Sequence, residues 1–567
     1  MLRTGNYVFN SISIQKICYF ATLNSNDIMS NIFKRFFVAI FTIAIAVQCA
    51  NPGSPTGGLK DEQPPVILSS LPENYSTNFN EEIVTIKFDE LVKFKDLKKQ
   101  LVISPPMKYD PIIKPSGSAM DKVKIQILDT LADNTTYTIN FGNSLQDNNE
   151  GNIYNNFRYV FSTGDNIDSL GLDGKISNAF MNDFDENTMV MLYKIDSSYN
   201  DSTIFNSIPT YITNTIASDT FKIDNAKAGK YLLIALQEKS RNLKFNPSQD
   251  KIAFYPEYIT LPDSNKYELK LYKQYPDFSV KRPIHAGKGK ILFLFEGNPT
   301  DINISRLWPI KSDTVRDLLN FSKYSDSAVY WYSARESDSI QFLIQSKEYM
   351  VNDTVTVTLK KQKNVKPTFT SRSTKGFTPD KRLQIVSNFP ITSIVKDSIS
   401  IMDLNDSTMI KVSASKKGIN KLLLDFDSKY DNKYNVQLLP GSITNLFGDV
   451  NDTISFRVSI KAKSEYGEIL LRIQNVALYP IIVDLINEKG DKIYKRIYAK
   501  NPQDFDFINL DAGKYRIRLI YDENGDERWN PGNFLKKQMP EVVKYFPDVI
   551  DIKANWYSQQ DWVLLKE

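Results

Sequence analysis

The chain has 567 residues, with 70 Lys and Arg against 66 Asp and Glu, one histidine and two cysteines. A single histidine excludes multi-imidazole zinc sites and restricts any Ser-His-Asp or Cys-His set to His285, which stands in Arg282-Pro283-Ile284-His285-Ala286-Gly287, a stretch with the look of an exposed linker. A nearly balanced charge argues against nucleic acid as a partner, and the length allows about three to five domains.

Residues 1–28 read as an upstream extension, since Met29 begins a complete signal of its own. Lys34-Arg35 precedes the apolar run Phe36 to Val47, and Cys49 follows. A run this short falls below the roughly 20 apolar residues that a spanning helix needs. Residues 29–48 are therefore expected to be a lipoprotein signal peptide and Cys49 the lipidated N-terminus of an outer-membrane protein held by its lipid. The places where lipoprotein signals usually carry leucine and a small residue hold Ala46 and Gln48, so the alternative is ordinary cleavage near Ala44-Ile45-Ala46 to give a soluble periplasmic chain. Beginning at Cys49, the chain has no second thiol and cannot form an internal disulfide, so its stability must come from packed cores.

Residues 49–62, rich in Pro and Gly, form a flexible tether. Short alternating runs follow: Val84, Ile86 and Phe88; Val123, Ile125 and Ile127; Tyr137, Ile139 and Phe141; Phe157, Tyr159 and Phe161. Period-two alternation broken by turn residues predicts an antiparallel sandwich over 63–164. The fold class is thus all-β, with further strands such as Ile291-Leu292-Phe293-Leu294-Phe295 in a middle domain over 280–365. Gln362 to Thr378 is the best internal linker.

An internal repeat organises the rest. Ala228-Gly229-Lys230-Tyr231 leads through an alternating strand to Phe245-Asn246-Pro247, and Ala512-Gly513-Lys514-Tyr515 leads to Trp529-Asn530-Pro531 at an offset of 284 residues without a gap. One supersecondary unit is used twice. A weaker match lays Asp431 to Val436 over Asp133 to Ile139. The predicted order after 63–164 is one sandwich over 168–276, the middle domain, a second copy of the first sandwich over 376–460 and a second copy of the next over 465–567.

Gly53-Ser54-Pro55-Thr56-Gly57-Gly58, Phe88-Asp89-Glu90, Ser104-Pro105-Pro106, Asn134 to Gly142 and Phe161-Ser162-Thr163-Gly164 together resemble the bacterial Ig-like domain of the S-layer-protein type, in the version found at the N-terminus of Bacteroidetes lipoproteins. The likeness covers residues 49–168 and implies an Ig-like sandwich without naming an activity. The repeated Ala-Gly-Lys-Tyr units are similar to the transthyretin-like sandwiches found beside carboxypeptidase regulatory domains.

Three sets of residues could bind or react. Asp522, Asn524 and Asp526 alternate as calcium ligands do, although Asn533 stands where an EF-hand loop has glutamate; an Asx-rich hairpin turn is the other reading. In the first copy the matching residues are Glu238, Ser240 and Asn242. Trp529, Trp556 and Trp562 fall in the last 39 residues and could stack on a glycan, or pack in cores as large rings usually do. Tyr330-Trp331-Tyr332 is a separate aromatic cluster. Carboxylate pairs such as Asp89-Glu90, or Asp522 with Asp526, have the chemistry of glycosidases, but nothing selects one pair as catalytic. No cofactor fingerprint is present. The sequence therefore points to a non-enzymatic, membrane-anchored scaffold that binds envelope or outer-membrane proteins, with glycan binding and hydrolysis as alternatives.

Overall fold

A computed structural model describes residues 61–565 apart from 216–217, 311–315, 323–325, 362–364 and 372–375. Cys49, the signal segment and the Pro/Gly-rich part of the tether lie outside the described residues. From Pro64 onward the chain is one compact unit of successive antiparallel β-sandwiches.

The first sandwich pairs Ile67–Leu71, Ile83–Phe94, Met120–Gln126 and Ile112–Lys114 in one sheet, with Leu145–Asp147 against the end of the long strand. Val102–Ser104, Thr136–Gly142 and Phe157–Ser162 form the facing sheet. The alternating residues meet in the core between them, where Val84, Phe88, Ile125, Phe141 and Phe161 are all buried. The fourth sandwich repeats this plan. Phe369–Ser371, Leu383–Ser387, Lys421–Phe426 and Val412–Lys417 make one sheet, and Ile399–Asp403, Asn432–Leu438 and Ile454–Ile460 the other. Pro390, which has no N–H to donate, stands where the long strand of the first sandwich is split here into Leu383–Ser387 and Ile391–Ile394. Both copies carry a tyrosine corner: Tyr137 Oη accepts the Ala132 N–H at 2.9 Å and Tyr434 Oη accepts the Lys429 N–H at 2.8 Å. Part of the expected linker is itself a strand, because Phe369–Ser371 pairs with Leu383–Ser387.

The two transthyretin-like sandwiches also share one topology. In the first, Tyr211–Asn214, Met189–Lys194, Gly229–Gln237 and Lys251–Phe254 lie side by side, and Thr220–Ala226, Leu170–Asn178 and Lys266–Leu271 face them. In the second, Ile493–Ala499, Ile481–Asn487, Gly513–Tyr521 and Val543–Tyr545 face Phe505–Leu510, Gly467–Gln474 and Tyr557–Val563. The last strand of each is parallel to the first. The repeated Tyr closes the Ala-Gly turn in both: Tyr231 Oη donates to Lys227 O at 3.0 Å and Tyr515 Oη to Asp511 O at 2.7 Å.

His285 is not in a linker. It sits on strand Ile284–Gly287 of the middle sandwich, paired with Lys290–Glu296. Its Nδ1 accepts the Lys360 N–H at 2.9 Å, so its Nε2 carries the proton toward Tyr332 Oη, also at 2.9 Å. Burial first, then nearby Arg335, hold the imidazole below its ordinary pKa. The residue is a neutral cross-tie. Tyr330, Trp331 and Tyr332 are core residues, with Trp331 packed on Phe389 and Leu446 of the fourth sandwich.

Candidate functional site

The Asp522 loop opens where strand Gly513–Tyr521 ends. Its first carboxylate is fully buried, and Oδ1 and Oδ2 accept the N–H groups of Asp526 and Glu527 at 3.1 and 2.9 Å. Asn524 Oδ1 also accepts from Asp526 N, while Asp526 accepts from Arg528 N and the Asn530 amide. Glu541 closes the other side by accepting from Glu523 N and Asn530 N at 3.0 and 2.7 Å. Burial, with Asp522 nearby, pushes the Glu541 carboxyl up to about 7. The alternating oxygens thus serve as acceptors of a closed turn.

The first copy does the same work with other side chains. Glu238 accepts from Asn242 and Leu243, the counterparts of Asp526 and Glu527, and Asp250 accepts from Lys239 and Asn246, the counterparts of Glu523 and Asn530. The turn needs a left-handed residue, which is Gly525 at φ 72° in one copy and Arg241 at φ 53° in the other. A carboxylate at this position accepts the turn's N–H groups in both, although only the second copy has calcium-like spacing. Among the described residues, no three His, Cys, Asp or Glu side chains gather in a metal-holding group.

One difference between the loops has a large consequence. Asp250 stands four positions after Asn246, but Glu541 stands eleven after Asn530, so the second loop is seven residues longer. The extra residues form an arm that enters the first transthyretin-like sandwich. Phe534 is fully buried in its outer core, 5.4 Å edge-on from Phe254, and the Phe534 N–H donates to Gln274 Oε1 at 2.8 Å. Gly532 allows the close approach, since a Cβ there would stand 2.7 Å from the Tyr272 ring. Lys537 reaches Asp201 at 2.8 Å. Burying one phenylalanine in this way is worth about 1.5 to 3 kcal/mol in transfer alone.

This contact decides the fate of the tryptophans. Trp529 is half-buried, its indole N–H donates to Glu541 O at 2.9 Å, and its ring lies 4.8 Å from Phe180 of the first copy. Phe180 also lies under the Arg518 guanidinium at 4.0 Å. Trp562 is 6% exposed and packs edge-on to Phe546 in the last core, which corrects its reading as a stacking platform: a ring inside a core has no face to offer. Trp556, at 50% exposure, alone of the three presents a large surface. The structure does not bring the three rings to one face. Asp89 is likewise committed, accepting the Val66 N–H at 2.8 Å.

Sequence reasoning missed a polar cleft of about 700 Å³ at the joint between the first two sandwiches. Arg158, Lys175, Lys222 and Lys266 line it together with Asp173 and Glu268. Asn140, Asn143 and Asn156 supply amides from the Ig-like side. Arg158 is fixed by Asp224 at 2.6 Å, and Lys222 meets the other oxygen of Asp224 at 2.9 Å.

Residues 61–163 match the family of bacterial Ig-like domains. No curated protein matches the chain. Among solved structures, the chain is similar to domains 1–6 of the surface layer protein SbsC, at 12% identity over 87% of this chain and 67% of that one, with a TM-score of 0.15. It is also similar to BcpA, the major pilin subunit of Bacillus cereus, at 11% identity over 70% of this chain and 99% of that one, with a TM-score of 0.13. The Bacillus anthracis TIE protein is 10% identical over 90% of this chain and 75% of that one, with a TM-score of 0.14. Likeness at this level carries no information about activity or partners.

Proposed function

We propose that this chain is a non-enzymatic envelope lipoprotein, anchored through Cys49, whose β-sandwiches form a scaffold that binds other envelope or outer-membrane proteins. The observation that carries the reading is the return of the C-terminal sandwich onto the second one through Phe534, Trp529 and Phe180, which makes the row of modules a single packed body. A scaffold that presents surfaces in a fixed arrangement binds without an ordering cost, and a loose string of domains does not. The one imidazole is tied at both nitrogens, which supports a role outside proton transfer. No helix among the described residues is long and apolar enough to cross a membrane. The signal ending at Cys49 supports attachment by lipid.

Affinity purification from detergent-solubilised envelopes tests the reading. A stoichiometric envelope protein should co-purify with the wild-type chain, and mass spectrometry should find a diacylated or triacylated Cys49 at the mature N-terminus. Recovery of the chain alone, with an unmodified N-terminus, would overturn it.

A further inference from the structure

The two Ig-like and transthyretin-like pairs provide an internal control for the cleft at the first joint. Each pair is built on the same strands, so every lining position has a counterpart. On the Ig-like side, Arg158 stands opposite Asn140 in the first pair and Ser455 opposite Gln437 in the second. On the other side, Lys222 and Asp224 become Asp506 and Ile508 at the 284-residue offset, and Thr220 becomes Asp504. Strand pairing places Arg472 at the position of Lys175, and Gln559 and Asp561 at those of Lys266 and Glu268.

The charge therefore reverses. The first joint sets four cations against three carboxylates, Asp173, Glu268 and the Asp224 that pairs with Arg158 and Lys222, whereas the second has Arg472 against Asp504, Asp506 and Asp561, and Arg472 is paired to Asp504 at 3.3 Å. The scaffold requires neither arrangement, since one topology carries both. A cation cluster in a cleft focuses potential and attracts anions.

The cleft is also mixed in a way that narrows the anion. On the sheet floor, Asp173 lies between Lys222 and Lys266 in register, and Glu268 lies beside Lys175. A bare phosphate or carboxylate would answer the cations but offer these two acids no donor. A ligand that carries both negative charge and hydroxyl donors satisfies both signs, with the Asn140, Asn143 and Asn156 amides able to donate or accept. Arg158, held in place by Asp224 through one guanidinium nitrogen at 2.6 Å, is a pre-oriented cation at the wall of the cleft.

We infer that the cleft between the first Ig-like and first transthyretin-like sandwiches binds an acidic saccharide of the uronate type, with Arg158, Lys175 and Lys266 on its carboxylates and Asp173 and Glu268 on its hydroxyls. This goes beyond the scaffold reading and stands independently of it.

Titration calorimetry on the purified full chain tests the site, with tetragalacturonate, neutral cellotetraose and inorganic phosphate as probes. Tetragalacturonate should bind, more weakly as salt rises, and cellotetraose should bind at least about tenfold less well. Phosphate should not compete. The double variant K175Q/K266Q, which alters exposed side chains only, should weaken binding by about tenfold or more. Arg472→Gln at the second joint should leave it unchanged. Absence of tetragalacturonate binding, equal binding of cellotetraose, competition by phosphate or an unaltered K175Q/K266Q would each overturn the assignment.

Discussion

The two transthyretin-like sandwiches differ most where they face each other. In the first, the outer face of the large sheet is apolar, with Met191, Leu232, Ile234 and Leu236 packed under Phe245, Tyr272 and the visiting Phe534. In the second, the positions of Met191 and Ile234 hold Asp484 and Arg518, a buried ion pair at 2.8 Å that Arg496 extends at 2.6 Å. One sheet architecture thus tolerates a hydrophobic pair or a charged pair at the same place. What differs is the neighbour: Arg518 lies on Phe180 of the first copy, so the charge serves the contact between copies. One topology thus presents two faces whose side chains are complementary where they meet.

The largest expected effect comes from breaking that pair on one side. Asp484→Met strands a buried guanidinium and should cost about 3 to 5 kcal/mol, whereas D484M/R518I, which installs the residues of the first copy, should restore most of the loss. Chemical denaturation of both variants measures the difference. If the single and double variants are equally unstable, the first copy's apolar chemistry is not transferable and the comparison between the faces fails.

Next in size is the arm. Phe534→Ala removes a buried ring and should cost about 3 to 5 kcal/mol of local stability. Deleting residues 533–539 is the sharper test, because it gives the second loop the length of the first, which closes on Asp250 without an arm. The shortened sandwich should keep its own fold and lose its seat on the first copy, seen as a larger radius of gyration in solution scattering and faster proteolysis. Unchanged scattering would mean that Trp529, Phe180 and Arg518 hold the copies together without Phe534.

The second loop also responds to pH. Glu541 is raised above its ordinary value, mainly by burial, so the folded state holds its proton more tightly than the unfolded chain does. Its contribution is then full below about pH 4.5 and is lost as pH rises through about 7. Wild type should lose melting temperature relative to Glu541→Gln across this window, and a constant gap between the two would show that the carboxyl does not titrate there.

Much of this was legible in the sequence because it rests on strands. Alternation such as Val84, Ile86, Phe88 reports one buried face, and those residues are buried. The Ala-Gly-Lys-Tyr repeat led to two sandwiches of one topology. Loops were read less well, since a loop residue's burial is set by which module comes to lie against it. Phe534 carried one usable signal: it belongs to the seven residues by which the second loop exceeds the first. The cleft had a similar signal in the exchange of Lys222 for Asp506, but it emerges only when the two copies are aligned and the joints are known to be equivalent. His285 read as a linker residue because Pro283 and Gly287 flank it; pairing with Lys290–Glu296 overrides that local composition. Trp562 read either as a stacking ring or as a core ring, and strand register selects the core by aligning it with Leu269, a core residue of the first copy.

The smallest effect sharpens what the copies still share. Tyr231 and Tyr515 make the same hydrogen bond to the carbonyl four residues back, and both rings are buried at 1% and 3% exposure. Removing only the hydroxyl leaves the ring's packing intact and one carbonyl short of a donor, so Tyr231→Phe and Tyr515→Phe should each cost about 1 kcal/mol. Because the two latches belong to different cores and bond to different carbonyls, the double variant should lose the sum of the two within about 0.5 kcal/mol. A double variant that loses much more would show that loosening one turn weakens the face against which the other copy packs. The two sandwiches would then share stability as well as topology.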